Sequence, residues 1–315
     1  MRVTFCGSGE FAVPSLQAIL SGPHEVAGVI TQPARPAGRG GKMHPTPVSQ
    51  ASAQAGLASV ECPRINDPSV IELLRQQRPD VIVVADFGQM VRGAVRSVAP
   101  LGAFNLHGSL LPELRGAAPI NWAIIRGYRQ TGTTTFSLVD EMDAGAIYLQ
   151  ASLDINPRET AEELKARLAA LGAGLTIQTL DGLANGSLQP REQDHSRKTL
   201  APRLRKEEGI IDWSAGAMTI CDRIRGVWPW PAGQTVFRRK DGKETPVALA
   251  RAVVESGGAE AGVLDGDLLV GAGKGGRVRI LELKPAGRRL MSWRDFVNGH
   301  RVTHGDSFHT PLIAQ

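Results

Sequence analysis

Val3-Thr4-Phe5-Cys6-Gly7-Ser8-Gly9-Glu10-Phe11-Ala12, near the start of a 315-residue chain, reads as a buried strand entering a tight turn and then a helix. The two glycines, two residues apart, supply the small residues that a sharp strand-to-helix turn needs. The same order recurs downstream. Val/Ile-rich runs at 25–30, 80–85 and 103–106 alternate with helix-compatible segments such as 68–77. Strands alternating with helices predict an α/β fold, a mostly parallel sheet with helices on both faces. Runs at 133–139 and 146–155 predict a strand pair. Behind them Thr160-Ala161-Glu162-Glu163 forms a capping box, and Leu164, Leu168, Leu171 and Leu175 recur at helical spacing.

The glycine turn admits two readings. It fits the G-x-G-x-x-A form of a dinucleotide-binding turn, yet Thr31 and Gln32 stand where that fingerprint carries an acid. The plainer reading, small residues in a tight turn, has the greater weight.

From 190 to 206 the apolar periodicity fades, leaving Arg191, Arg197, Lys198, Arg203, Arg205 and Lys206 among polar residues. This stretch reads as an exposed basic linker. A helical pattern at 217–225 follows, then a Trp228-Pro229-Trp230-Pro231 stop and short strand-like runs at 235–237, 247–254, 267–270 and 277–283. Gly-rich breaks between those runs suit a small antiparallel barrel. The expected organisation is a first domain over 1–189, a linker over 190–206 and a second domain over 207–315. Charge divides along the same line, with 18 Lys and Arg against 13 Asp and Glu after residue 200 and 18 of each before it. A surplus of +5 confined to the last third either sets solubility or suits a polyanionic partner such as RNA.

No apolar run approaches a membrane span, and the chain starts on a strand-like segment without a charged and apolar leader. Cys6, Cys62 and Cys221 are widely spaced and odd in number, which argues against a disulfide framework or a metal site and for a reducing cytoplasm.

Chemistry concentrates at the end of the run at 103–106. Asn105 and His107 lie two residues apart, so a strand places both side chains on one face, and Gly108-Ser109-Leu110-Leu111-Pro112 follows as a turn able to wall a pocket. An amide there can donate to an oxyanion. Imidazole titrates near neutrality, and Asp143, in Asp140-Glu141-Met142-Asp143-Ala144-Gly145, is a carboxylate able to orient or charge it. None of Ser109, Thr133 to Thr135 or Cys6 has the context of an activated nucleophile, so the set favours direct transfer between two bound substrates. Residues 32–44 form a connection longer than usual for such a unit, with Arg35, Arg39 and Lys42 among Gly and Pro. That loop is either a solvated excursion or a phosphate contact, and its place after a parallel strand favours a nucleic-acid contact.

With these residues together, the chain resembles the methionyl-tRNA formyltransferases. The likeness runs through 7–16 (GSGEFAVPSL), 35–42 (RPAGRGGK), 105–120 (NLHGSLLPELRGAAPI) and 140–145 (DEMDAG), then 201–213 (APRLRKEEGIIDW), 229–231 and 284–296 (KPAGRRLMSWRDF). It implies a Rossmann-like catalytic domain, an OB-like C-terminal barrel, and transfer of a formyl group from 10-formyltetrahydrofolate to the α-amino group of methionyl initiator tRNA. The related alternative is another 10-formyltetrahydrofolate-dependent enzyme acting on a sugar nucleotide, a purine precursor or water. The resemblance makes Asn105, His107 and Asp143 catalytic. It lays the folate against Phe87, Gly88, Ser109, Leu110, Leu111 and Pro112, with no metal. Arg35, Arg39 and Lys42 would meet the tRNA acceptor end, and Arg203, Arg205 and Lys206 its backbone. A cytoplasmic monomer is expected, away from membranes. The chain departs from the family where Ala34 replaces an acid, Gly41 a basic residue, and Glu113-Leu114 a basic and aromatic pair, which implies an altered grip on tRNA more than altered chemistry.

Overall fold

The computed structural model describes residues 1–37 and 41–311. The chain divides into two compact units, one comprising Met1–Pro119, Thr131–Leu153 and Lys165–Ala201, the other Ile120–Gln130, Asp154–Leu164 and Pro202–Gln315.

In chain order the first part contains β1 (Arg2–Gly7), α1 (Val13–Ser21), β2 (Glu25–Thr31), β3 (Arg35–Ala37), β4 (Lys42–His44), α2 (Pro47–Gln54), β5 (Ser59–Glu61) and α3 (Pro68–Gln77). There follow β6 (Val81–Ala85), α4 (Gly93–Arg96), β7 (Ala103–His107), α5 (Pro119–Ile125), β8 (Gln130–Ser137), β9 (Ile147–Asp154) and α6 (Ala161–Ala184). Seven strands form one sheet in the order β5-β2-β1-β6-β7-β8-β9. The first five in that order run parallel, and β8 pairs with β7 antiparallel. The parallel centre explains the unbroken apolar runs: every residue of β6 is buried, as a strand covered on both faces requires. On one face Cys6, Ile30, Ile82 and Val84 pack with Ile71 and Leu74 of α3 and Val95 of α4. On the other, Gly172 of α6 lies against Leu106, and Thr179 hydrogen-bonds Thr135 of β8 at 2.8 Å. This is the expected mostly parallel, Rossmann-like sheet. The capping box also forms, with the Thr160 N–H donating to Glu163 at 2.8 Å and the Glu163 N–H donating back to Thr160 Oγ1 at 3.4 Å.

The sheet order reverses between β1 and β6, and such a switch point opens a crevice at the carboxyl ends of the strands. Gly7-Ser8-Gly9 leaves β1 there, Asp86-Phe87-Gly88 leaves β6, and His107-Gly108-Ser109 leaves β7.

The long basic loop contains structure that its composition concealed, a two-stranded antiparallel hairpin of β3 and β4 pairing Arg35 with His44. Arg39 lies outside the described residues, as does the side chain of Lys42. The stretch over 190–206 is exposed only in part. Arg191 and Ile147 exchange backbone hydrogen bonds of 2.7 and 2.8 Å, and Gln193, Ala201 and Leu204 are buried. Fading periodicity mistakes such a segment for a free linker because its order comes from pairing to distant residues.

The second unit contains α7 (Ala217–Gly226), β10 (Gly233–Arg238), β11 (Glu244–Glu255), β12 (Val270–Gly271), β13 (Arg277–Pro285), β14 (Met291–Ser292), α8 (Trp293–His300) and β15 (Ser307–His309). Its antiparallel sheet runs β12-β13-β11-β10-β15, with β14 pairing β13 off this path. Val263 bridges to Ser307 and Leu264 to Val270, so the segment between them joins the two edges and nearly closes an OB-like barrel. The run expected as a strand at 267–270 is mostly turn. Asp265 Oδ1 accepts the N–H groups of Asp267 and Leu269 at 2.9 and 3.0 Å, leaving only Val270 to enter β12. Helix α8, which the strand pattern hid, is capped by Ser292 and inserts Phe296 edge-on against Phe237 at 5.2 Å between centroids.

Candidate active site

Strand β7 ends the parallel part of the sheet and places Asn105 and His107 on one face, as period-two alternation requires. Asn105 is half-buried, and its side-chain amide has no hydrogen-bond partner among the described residues. His107 is buried, edge-on to Phe136. Its Nε2 lies 3.0 Å from the carbonyl oxygen of Leu114, which can only accept, so the Nε2 proton is donated there. Nδ1 then faces the Oδ2 atom of Asp143 at 3.8 Å. That separation is too long for a hydrogen bond. In the neutral ring two acceptors oppose each other across it, whereas a proton added at Nδ1 meets the carboxylate charge.

Asp143 itself is held by the backbone. Its φ of +52° lies in the left-handed region, and Oδ2 accepts the Gly116 N–H at 2.8 Å. Leu114 also has a positive φ, +60°, although it is a bulky residue. Left-handed backbone at both residues marks two turns whose shapes the surroundings impose.

The wall after β7 is fastened from β8. Thr134 Oγ1 donates to Ser109 O at 2.7 Å and accepts from Leu111 N at 3.1 Å, while Ser109 Oγ donates to Glu113 O at 2.6 Å. Ser109 and Leu111 are therefore buried, with Leu111 packed against Phe136 and Ile147. Leu110 and Pro112 remain half-exposed. At the end of β6, buried Phe87 accepts Gln32 Nε2 through its carbonyl at 2.6 Å, and Gly88 is exposed with φ +72°.

The space beside the glycine turn is taken by Asp86. A Cβ on Gly9 would lie 1.9 Å from Asp86 Oδ2, so an acidic side chain occupies the space that a pyrophosphate would need. The tight-turn reading of Gly7 to Ala12 stands.

Of the basic residues singled out, Arg35 is exposed and its guanidinium donates to Gln32 Oε1. Arg203, Arg205 and Lys206 are exposed in the second unit. Glu113, a departure from the family pattern, lies 3.4 Å from Arg197, and at Leu114 the backbone, not the side chain, meets His107.

Two residues escaped the sequence reading. Gln193 sits in the stretch taken for a linker, yet it is buried and donates from Nε2 to Asp143 O at 2.9 Å and to Gly145 O at 2.7 Å. Arg115, buried beside it, donates to Gln193 Oε1 from Nε at 3.2 Å and from Nη2 at 2.7 Å. Only the Gln-Asp pair at 193–194 within a basic stretch hinted at either.

Comparison with known proteins gives the family. The family described as formyl transferase matches residues 1–180, and its C-terminal domain matches 203–301. The methionyl-tRNA formyltransferase of Solibacter usitatus is 42% identical over 309 residues, 97% of this chain and 98% of the relative. This chain belongs to the methionyl-tRNA formyltransferase family. The enzyme of that name from Koribacter versatilis is 41% identical over 310 residues, again 97% of this chain and 98% of the relative. Among solved structures, an N-formyltransferase from Helicobacter canadensis superposes with TM-score 0.66 at 14% identity, covering 88% of this chain and 98% of its own. A sugar 3N-formyl transferase, WlaRD, gives TM-score 0.64 at 15% identity, covering 92% and 99%. At that distance these two share the fold.

Proposed function

We propose that this protein transfers the formyl group of 10-formyltetrahydrofolate to the α-amino group of methionine esterified to initiator tRNA. The observation that carries the chemistry is an Asn105 amide with no partner among the described residues, beside a His107 ring whose Nδ1 faces Asp143 at 3.8 Å. The acceptor is supported by near full-length kinship, both units included, with proteins named for that tRNA.

The folate supplies an activated formyl carbon when bound. Phe87, Gly88 and Ser109 to Pro112 would hold it, with half-exposed Leu110 and Pro112 offering the apolar contact and the others supporting the wall. An amide donor with no acceptor among the described residues fits a carbonyl oxygen that gains negative charge as the amine attacks. The amine proton passes to His107 Nδ1, where the Asp143 carboxylate stabilises the imidazolium, and is returned to the donor nitrogen of tetrahydrofolate as the bond between that nitrogen and the formyl carbon breaks. Arg35, Arg39 and Lys42 would contact the acceptor end, and Arg203, Arg205 and Lys206 the tRNA backbone, as the exposure of those described suits. The enzyme would act as a cytoplasmic monomer; among the described residues no helix is long and apolar enough to cross a membrane.

The test is one assay with methionyl initiator tRNA and 10-formyltetrahydrofolate, run beside an amino-sugar nucleotide and water as acceptors. Formylmethionyl-tRNA should accumulate at least 100-fold faster than either alternative product. Faster formylation of the sugar nucleotide, or hydrolysis alone, overturns the assignment of acceptor.

A further inference from the structure

Both side chains assigned to proton handling are held by one turn. Leu114 O fixes His107 Nε2, and Gly116 N fixes Asp143 Oδ2. Between them, Arg115 is inverted relative to this site, with its guanidinium buried against Gln193. Gln193 in turn grips the far side of the Asp143 loop through the carbonyls of Asp143 and Gly145. The contacts close a ring from His107 through Leu114, Arg115, Gln193 and Asp143 back to His107.

The hydrogen-bond chemistry of the ring permits one arrangement. Gln193 has two amide hydrogens, and both are spent on carbonyls. Its oxygen receives a two-pronged contact from Arg115, a group with donors only. Rotating the amide by half a turn would set oxygen against two carbonyl oxygens and NH2 against a guanidinium. Arg115 is anchored independently, its N–H donating to Thr199 O at 2.9 Å and its carbonyl accepting from Ala201 N at 2.6 Å. Glu141 and His195 take up further guanidinium donors at 3.3 and 3.1 Å. The loop that carries Asp143 is thereby tied to the turn that orients His107.

We propose that Gln193, locked by Arg115, is a positioning residue that sets the distance and direction of Asp143 relative to His107. This rests on the formyl-transfer reading for its catalytic consequence, while the clamp itself can be read without any activity. Met is close to Gln in length and shape but offers no N–H, so Gln193→Met removes the grip with little change in volume.

The experiment compares the wild type, Gln193→Met and, as a control, Glu72→Gln on the exposed face of α3, in two measurements. Hydrogen exchange of the Gly116 amide, which donates to Asp143, should rise at least tenfold in Gln193→Met and stay unchanged in the control. With methionyl-tRNA and folate, kcat should fall about 10- to 100-fold with KM values within threefold, and the pH profile of kcat should change shape. A smaller folded fraction lowers the whole profile by one factor, so altered shape separates positioning from instability. Unchanged Gly116 exchange overturns the clamp. Raised exchange with an unaltered kcat and pH profile overturns the positioning role. A wild type inactive toward every acceptor, with Gly116 exchange still responding to Gln193→Met, would count against the formyl-transfer reading and leave the clamp standing.

Discussion

The Asp143 loop and the basic segments proposed for tRNA are built on opposite principles. Around Asp143 the polar side chains of Gln193, Arg115 and His107 are buried, and each hydrogen-bonds another of them or a backbone atom. Arg203, Arg205 and Lys206 are exposed, and the exposed Arg35 donates to Gln32. The difference suits what each is proposed to do. A proton acceptor and its counter-charge gain from being fixed before substrate arrives, because reorganisation would otherwise be paid at every turnover. Charges that follow a phosphate backbone work through counterion release, which needs exposure and tolerates motion.

This contrast can be broken by experiment. Removing the proposed oxyanion donor with Asn105→Ala, or the proposed proton acceptor with His107→Ala, should reduce kcat by about 100- to 1000-fold, with the tRNA dissociation constant within twofold of wild type. A comparable loss of tRNA affinity would erase the division between the two regions. Gly145→Ala tests how little slack the Asp143 loop has. A Cβ there would stand 1.8 Å from the backbone oxygen of Ser137, so the loop must move, costing about 2 kcal/mol or more in chemical denaturation and a further part of kcat. Wild-type stability and rate would show that the loop yields.

Replacing Arg203, Arg205 and Lys206 together by Ala should weaken tRNA binding about 10- to 100-fold and lower the slope of log affinity against log salt by about 2 to 3, with kcat at saturating tRNA unchanged. An unaltered slope would remove these residues from the interface. The smallest effect concerns Glu163, which caps α6. The Arg251 guanidinium, hydrogen-bonded to it at 2.8 Å, is the main cause that brings its carboxyl down to about 2, with the Thr160 N–H and hydroxyl assisting. A carboxyl lowered on folding stabilises the native state above its unfolded value near 4.5 and loses that contribution as pH falls from there toward 2. Because both partners are partly exposed, Glu163→Gln should cost about 1 kcal/mol at pH 6, shrinking toward zero near pH 2 in denaturant titrations. A cost independent of pH would assign the effect to capping alone.

Legibility followed the range of the forces involved. The buried strands β1 and β6 and the helix α3 were visible in the chain because a doubly covered strand needs an unbroken apolar run and a helix a 3.6-residue period. Asn105 and His107 were visible as a pair because strand alternation is local. Hairpin β3–β4 was hidden, since three-residue strands among Gly and Pro carry almost no periodic signal. Gln193 was hidden for a different reason: an isolated polar residue in a polar stretch reads as solvated until the carbonyls it meets, 48 and 50 residues away, are known.

By itself, then, the sequence determined the α/β class, the barrel-like second unit, the family and the residue types able to handle an oxyanion and a proton. Those properties are written in periodicity, composition and short motifs, which depend on neighbours in the chain. Tertiary structure alone decided which nitrogen of His107 faces Asp143, that Asp86 fills the space above the Gly9 turn, and that Arg115 and Gln193 brace the Asp143 loop. Each of these depends on the spatial meeting of distant backbone groups, where the demand that buried donors and acceptors be paired selects one arrangement from many that the chain would locally allow.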